Sequence, residues 1–243
     1  MQQVKYVANA SNFAKIPGSP IAYWVGIRIF EIYSSCRLLG NLADVRHGLS
    51  TGKNEWFVRE WYEVDSNKID LSIKDRADLF KSKGKWFPYN KGGDYRKWYG
   101  NTEHVLWYDF EGQKKMAMLS GHRHDGKDRY FKEGVTWSFI SSSNFGVRYS
   151  PSGFIFDVAG SSMFLENDKI KYVVGLLCSK LGAFFMKIMN PTLNFQVGNL
   201  KNVPIIIGKK DIVEEIVNEN INREKQDWDS FETSWDFKKH PLI

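Results

Sequence analysis

The sequence predicts an α+β fold: a mixed, mostly antiparallel twisted sheet with packed helices, followed by a C-terminal helix. Three observations predict it. Short alternating apolar runs, punctuated by glycine and proline, recur between residues 85 and 158. A continuous apolar stripe at helical spacing follows, through Ile170, Val173, Val174, Leu177, Leu181, Phe184, Phe185 and Ile188. A second helical repeat runs through Ile212, Val213, Ile216, Val217 and Ile221 near the end.

Taken in order, residues 4–15 lack strong periodicity, and Ile16 to Pro20 reads as a turn or linker. Ile21 to Tyr33 carries a helical repeat. His47 to Asn54 is a glycine-flanked turn, after which Trp56 to Val58 reads as a strand and Arg59 to Val64 continues it. Lys85 to Tyr89 and Val105 to Phe110 are strands, and Tyr108 to Gly112 approaches a turn. Lys114 to Leu119 fits either strand or helix, and Gly121 to Asp128 is a polar loop. Val135 to Ile140, Gly146 to Tyr149 and Phe154 to Val158 alternate as strands, with Pro151 to Gly153 as a hairpin turn between the last two. Pro191 stops the long apolar helix. Val203 to Ile207 is a final strand, and Asp211 with Glu214 resembles a capping box opening the last helix. These elements divide the chain into a lead-in over 1–20, a main domain over 21–208 and the start of a helical spacer over 209–243.

At 243 residues, with 42% hydrophobic and 15% aromatic residues, the chain can bury a core. Its formal charge of +6 is uneven. From Lys209 onward six Lys/Arg face nine Asp/Glu, a balance of −3, whereas residues 1–208 hold 28 against 19, a balance of +9. A basic body with an acidic tail suits a polyanion on the body and protein or solvent on the tail. The two cysteines, Cys36 and Cys178, make neither a disulfide framework nor a zinc spacing, which points to a reducing compartment. No apolar signal region opens the sequence, and Tyr172 to Met189 is too short and too charged to span a bilayer, so a soluble cytoplasmic protein is expected.

The richest chemistry lies in Lys81 to Asn101, with six Lys/Arg, one acidic residue (Asp94) and six aromatics. Cations on phosphates and flat side chains beside bases are what a nucleic acid requires. A Trp-rich core edge with solvated charges would leave the same pattern. Gly48 to Lys53 superficially resembles a phosphate-binding P-loop, but His47 stands where the first glycine belongs and Asn54 where Ser or Thr belongs. Its Thr51, Lys53 and Asn54 remain candidates for DNA phosphates. His122, Arg123, His124 and Asp125 are too few for a metal site, and the loop with Arg123, Lys127 and Arg129 reads better as a basic probe, since Arg offers two hydrogen bonds to guanine O6 and N7. Neither a His-Glu-x-x-His pair nor a Gly-x-Gly-x-x-Gly turn occurs. The nearest string to the Asn-Pro-Pro-aromatic tetrad of amino-methylating enzymes is Asn190 to Leu193, NPTL. A binding module is therefore favoured over an enzyme.

Several strings together resemble one family: Pro17–Trp24 (PGSPIAYW), Gly48–Asn54 (GLSTGKN), Trp86–Gly93 (WFPYNKGG), Arg96–Asn101 (RKWYGN), Arg148–Pro151 (RYSP), Phe156–Gly160 (FDVAG), Asn190–Gly198 (NPTLNFQVG) and Asp227–Asp236 (DWDSFETSWD). From about Ile16 to its end the chain resembles the C-terminal half of PglX-like adenine-specific DNA methyltransferases of BREX phage-defence systems, which are similar to type IIG restriction–modification enzymes. Thr51, Gly52 and Asn54 with Asn194, Gly198 and Pro204 also look like half of a type I specificity subunit. The resemblance implies a target recognition domain over 21–208, and S-adenosylmethionine bound in a separate catalytic domain of the parent, with no cofactor in this portion. The segment from His122 to Arg129 departs from the family pattern.

The expected function is recognition of a short duplex sequence, so that the parent methyltransferase domain can flip and methylate an adenine. Phosphate contacts are expected from Lys53, Lys85, Lys91, Arg96, Lys97 and Arg148, and base-edge contacts from His122, Arg123, His124 and Arg129. Thr51, Asn54, Asn90, Asn101, Ser142 and Asn144 complete the candidate set. Expected partners are double-stranded DNA, the parent methyltransferase domain and other defence-system subunits. A second reading is a protein-interaction module that docks another defence subunit or a DNA-mimicking phage inhibitor. The two readings separate on whether Lys85, Lys91, Arg96, Arg129 and Arg148 share one face.

Overall fold

The computed structural model describes residues 7–141, 144–190 and 192–243. The fold is α+β, with three mostly antiparallel sheets and several helices. In chain order the elements are α1 (Ile27–Ser35), β1 (Arg37–Leu38), β2 (Asp44–Arg46), α2 (Asn54–Phe57), β3 (Val58–Glu60), β4 (Trp86–Asn90), β5 (His104–Trp107), α3 (Phe110–Ala117), β6 (Gly134–Trp137), β7 (Val147–Ser150), β8 (Ile155–Phe156), β9 (Ser162–Phe164), α4 (Asn167–Cys178), α5 (Lys180–Met189), α6 (Val197–Lys201), β10 (Pro204–Ile205) and α7 (Lys210–Trp228).

Two four-stranded sheets carry the body. One runs β2-β9-β6-β7, entirely antiparallel. The other runs β3-β5-β4-β8, with β4 and β8 parallel. The first sheet buries Val135, Trp137, Val147 and Met163 against the helices, including Val173, Val174 and Leu177 of α4. Trp137 also satisfies its indole N–H, which donates to the Phe195 carbonyl at 2.8 Å. The second sheet encloses a smaller aromatic core of Phe57, Phe87, Tyr89, Tyr130 and Phe131. Phe156 and Phe164, with ring centroids 5.3 Å apart, are packed within it. Helix α7 lies on α4 and buries Val217, Ile221 and Trp228.

Several elements differ from the sequence reading. Helix α1 begins at Ile27 rather than Ile21. Residues 54–57 form a helical turn, and the strand starts at Val58 and gives way to a 3-10 turn at Trp61. Helix α3 starts at Phe110, within the turn expected at Tyr108 to Gly112, and gives Lys114 to Ala117 the helical one of its two readings; the Asp109 carboxylate accepts from the Gly112 N–H at 2.7 Å and caps it. Pro151 to Gly153 does not close a hairpin. It carries the chain from β7, paired to β6, into β8, paired to β4 in the other sheet. The apolar stripe after Ile170 is two helices bent by 73°. Ser179 breaks it by capping α5, its hydroxyl accepting from the Gly182 N–H at 3.1 Å. The expected capping box of α7 is absent, since Lys209 with φ 49° occupies the cap and makes no side-chain cap bond. Strand β9 and helix α6 have no counterpart in the sequence reading. The Pro191 helix stop lies outside the described residues. Among the described residues no single helix is long and apolar enough to cross a membrane.

Candidate nucleic-acid interface

The glycine-flanked turn and the His122–Arg129 loop, some 70 positions apart, are joined edge to edge. Ser50 and Arg123 exchange both backbone hydrogen bonds at 3.0 Å. The Ser50 hydroxyl donates to the Gly121 carbonyl at 2.9 Å, and His122 Nδ1 donates to the Ser50 carbonyl at 2.8 Å. On its other side the turn bridges to Asp157 through Leu49. Gly48 allows this approach: a Cβ there would lie 2.0 Å from the Phe156 carbonyl oxygen.

Asp157 is a buried anchor behind the turn. Its Oδ2 accepts from the Tyr89 hydroxyl at 2.6 Å and from Lys91 Nζ at 2.7 Å, and its Oδ1 accepts from the Ala159 N–H at 2.6 Å. Burial, with the Asp157 charge adding to it, pushes the Tyr89 hydroxyl well above its ordinary range. Thr51 and Asn54 belong to the same scaffold. The Thr51 hydroxyl donates to Asn54 Oδ1 at 2.6 Å and accepts from the Lys53 N–H at 3.1 Å.

Several cations surround the joined loops. Arg123 lies 3.4 Å from Asp125, both exposed, a pair that is easily exchanged for a phosphate. Arg129 bonds Asp44 at 2.8 Å, and Arg46 bonds the same carboxylate. Burial pushes the Asp44 carboxyl up, but the two arginines outweigh it and hold it below the ordinary range. His47 lies in the fields of Asp125, Arg123 and Lys201, with burial the main force lowering its pKa. Burial also holds His124 neutral, pushing it down to about 4, with His122, Lys127 and Arg76 adding to the shift. The His122 and His124 rings stand edge to face, 4.3 Å apart. Sequence reasoning missed Arg46, His47, Arg76 and Lys201. Only Arg46 and His47 carried a signal, as neighbours of the glycine turn.

The other candidates are used inside the protein. Arg148 is 2% exposed, so it cannot reach a phosphate. One guanidinium nitrogen donates to the Ser138 hydroxyl at 3.3 Å, and the surroundings push its pKa down to about 10, chiefly by burial. Asn90 and Asn101 are buried, donating to the Ser150 hydroxyl and to the Asp94 carbonyl, each at 2.8 Å. Thr51 is buried as well, so its part is the loop-holding one described above. Arg96 pairs with Asp227 at 3.0 Å and Glu224 at 3.5 Å and lies over the Trp228 ring, fastening α7 to the body. Lys97 donates to the Cys178 carbonyl at 2.7 Å, at the C-terminus of α4 where a cation is favoured. Lys85 lies 4.1 Å from the Trp107 ring centre and Lys53 3.9 Å from that of Trp56. Asn144 is exposed at a separate cleft, and Ser142 lies outside the described residues. Lys85, Lys91, Arg96, Arg129 and Arg148 therefore do not form one face. The basic, aromatic run from Lys81 to Asn101 contains a fully buried strand and its ties, and its charges largely serve the fold.

No protein-family model matches the chain. Over 249 aligned residues, 98% of this chain, it is 39% identical to the adenine-specific methyltransferase PglX of Lacticaseibacillus casei (strain Zhang). Over 237 residues, 96% of this chain, it is 38% identical to the adenine-specific methyltransferase BrxX of Escherichia coli O9:H4 (strain HS). The chain is similar to one region of PglX- and BrxX-like adenine-specific methyltransferases. It spans about a fifth of their length, 20% and 19%. The similarity extends over nearly the whole chain, and so includes both joined loops and the helices behind them.

Proposed function

We propose that this chain is the target recognition region of an adenine-N6 DNA methyltransferase acting in BREX-type phage defence. The observation that carries the reading is similarity along almost the entire chain to adenine-specific methyltransferases, in a sequence without the Asn-Pro-Pro-aromatic tetrad or a glycine-rich cofactor turn. An enzyme that methylates selected adenines must choose a site and expose a base held within the duplex stack. This region would do the choosing, in the cytoplasm, while S-adenosylmethionine and the reacting adenine would be held elsewhere in a longer chain.

The joined loops are the favoured reading surface. Arg123 is exposed and loosely paired, so its guanidinium is available for the O6 and N7 of a guanine. Arg46, Lys127, Arg129 and Lys201 around it would take phosphates. His122 and Asp157 would hold the two loops in register rather than touch DNA.

Methylome sequencing of cells carrying the intact parent, native against Arg123→Ala, tests the reading. Loss of discrimination at one position of the methylated site is expected, equivalent to about 1–3 kcal/mol. An unchanged methylation pattern, with duplex binding that ignores salt, would remove the assignment. A protein-docking role is the second reading, favoured by the inward use of Arg96 and Arg148.

A further inference from the structure

We propose that the cleft between α5 and residues 192–195 is a docking groove for an acidic, apolar-faced segment from the remainder of a longer methyltransferase chain. This rests on the reading of the present chain as one portion of such an enzyme. The cleft has a volume of about 570 Å³, and its walls include Trp24, Phe145, Phe184, Leu193 and Phe195. Trp24 is 42% exposed, Phe184 36% and Leu193 54%. The apolar surface continues past the rim. Tyr23 meets Trp24 edge to face at 5.2 Å, exposed Ile140 is bridged to Asn194, and exposed Leu181 precedes Phe184 by one helical turn.

Helix α5 explains why this surface needs a cover. Its inner face buries Phe185, Met186 and Ile188 in the core, yet its outer face presents Leu181 and Phe184. A helix apolar on both faces belongs in an interior, and an uncovered patch of this kind marks an interaction site. The chemistry of the partner follows from the charges. Lys180 and Lys187 flank the cleft, and among the described residues neither takes part in an ion pair and no carboxylate lines the cleft. The complement is a segment with apolar anchors and flanking carboxylates.

A second copy of this chain fits poorly, because a twofold contact here would bring four lysines together without a counter-charge. Trp24 and Phe184 could stack a base, but the exposed aliphatic Ile140, Leu181 and Leu193 gain nothing from one, so an apolar protein segment covers more of this surface than nucleic acid would. A segment of the same polypeptide has a further advantage. The methyltransferase relatives are about five times the length of this chain, and tethering raises local concentration to the order of millimolar.

The test uses the intact methyltransferase with a photo-crosslinking residue, Phe184→p-benzoylphenylalanine, and Leu193→p-benzoylphenylalanine as an independent second probe. After irradiation, with and without duplex DNA, the crosslinked peptides are mapped by mass spectrometry. An intrachain crosslink to a carboxylate-flanked apolar segment outside these 243 residues is expected, reduced about tenfold by Lys180→Glu with Lys187→Glu. Crosslinks only to another polypeptide or to DNA, or none from either probe, overturn the proposal. Duplex binding measured on the same samples separates the two ideas. Binding without the intrachain crosslink removes the docking groove alone, and the crosslink without binding removes the recognition reading alone.

Discussion

Arg148 and His124 show how burial decides what a charged or titratable side chain can do. Arg148 occupies a strand position where its guanidinium is enclosed, and its Nε finds no partner among the described residues. Arg148→Ala is expected to cost about 2–5 kcal/mol in chemical denaturation through the cavity it leaves. Arg148→Met, which keeps most of the volume, should leave the salt dependence of duplex binding unchanged, whereas a phosphate ligand would lower the slope by about one. His124 carries a pH consequence. Its folded pKa, about 4, lies below the ordinary 6.5, so between these values the unfolded chain takes up a proton that the folded one refuses. Its contribution is therefore full above pH 6.5 and is lost as pH falls toward 4. His124→Phe should flatten that part of a stability–pH profile measured by thermal unfolding.

Helix pairing fixes where the acidic C-terminal segment lies. Helices α4 and α7 cross closely enough that a Cβ on Gly175 would sit 2.7 Å from a methyl of buried Val217. Val217 has little rotamer freedom in a helix, so it cannot step aside. Gly175→Leu should destabilise the fold by about 1–3 kcal/mol through overpacking, read as a lower denaturant midpoint. Arg96, between Asp227 and Glu224, ties the same helix to the loop after β4. Helix α7 was legible in the sequence because its apolar repeat is regular. The break at Ser179 was not legible, because the apolar spacing runs straight across it and only the hydroxyl cap marks the bend. The strand assigned to Trp56 failed for a related reason: a short apolar run fits a helical turn equally well.

Across the whole molecule, the sequence places its positive charge in the body but does not say which cations face outward. Arg96, Lys97 and Arg148 are spent on internal contacts, while Arg46, Arg123, Lys127, Arg129 and Lys201 gather near the joined loops. If the four around Arg123, namely Arg46, Lys127, Arg129 and Lys201, meet phosphates, the logarithm of duplex affinity should fall with the logarithm of salt at a slope of about −4. A titration of the intact enzyme over a range of salt would read that slope, and Arg129→Ala should reduce its size by about one. A slope near zero would remove the electrostatic part of the proposal.

The sequence by itself determined the α+β class, the two apolar helical stretches, and the glycine turn and polar loop as separate candidates. These follow from periodicity and from glycine, which act over a few residues. Only the tertiary structure decided that Ser50 meets Arg123, that β7 and β8 part into different sheets, and that Asn90, Asn101 and Arg148 turn inward. Whether a charge is solvated or enclosed depends on neighbours distant in the chain, and local spacing holds no record of them.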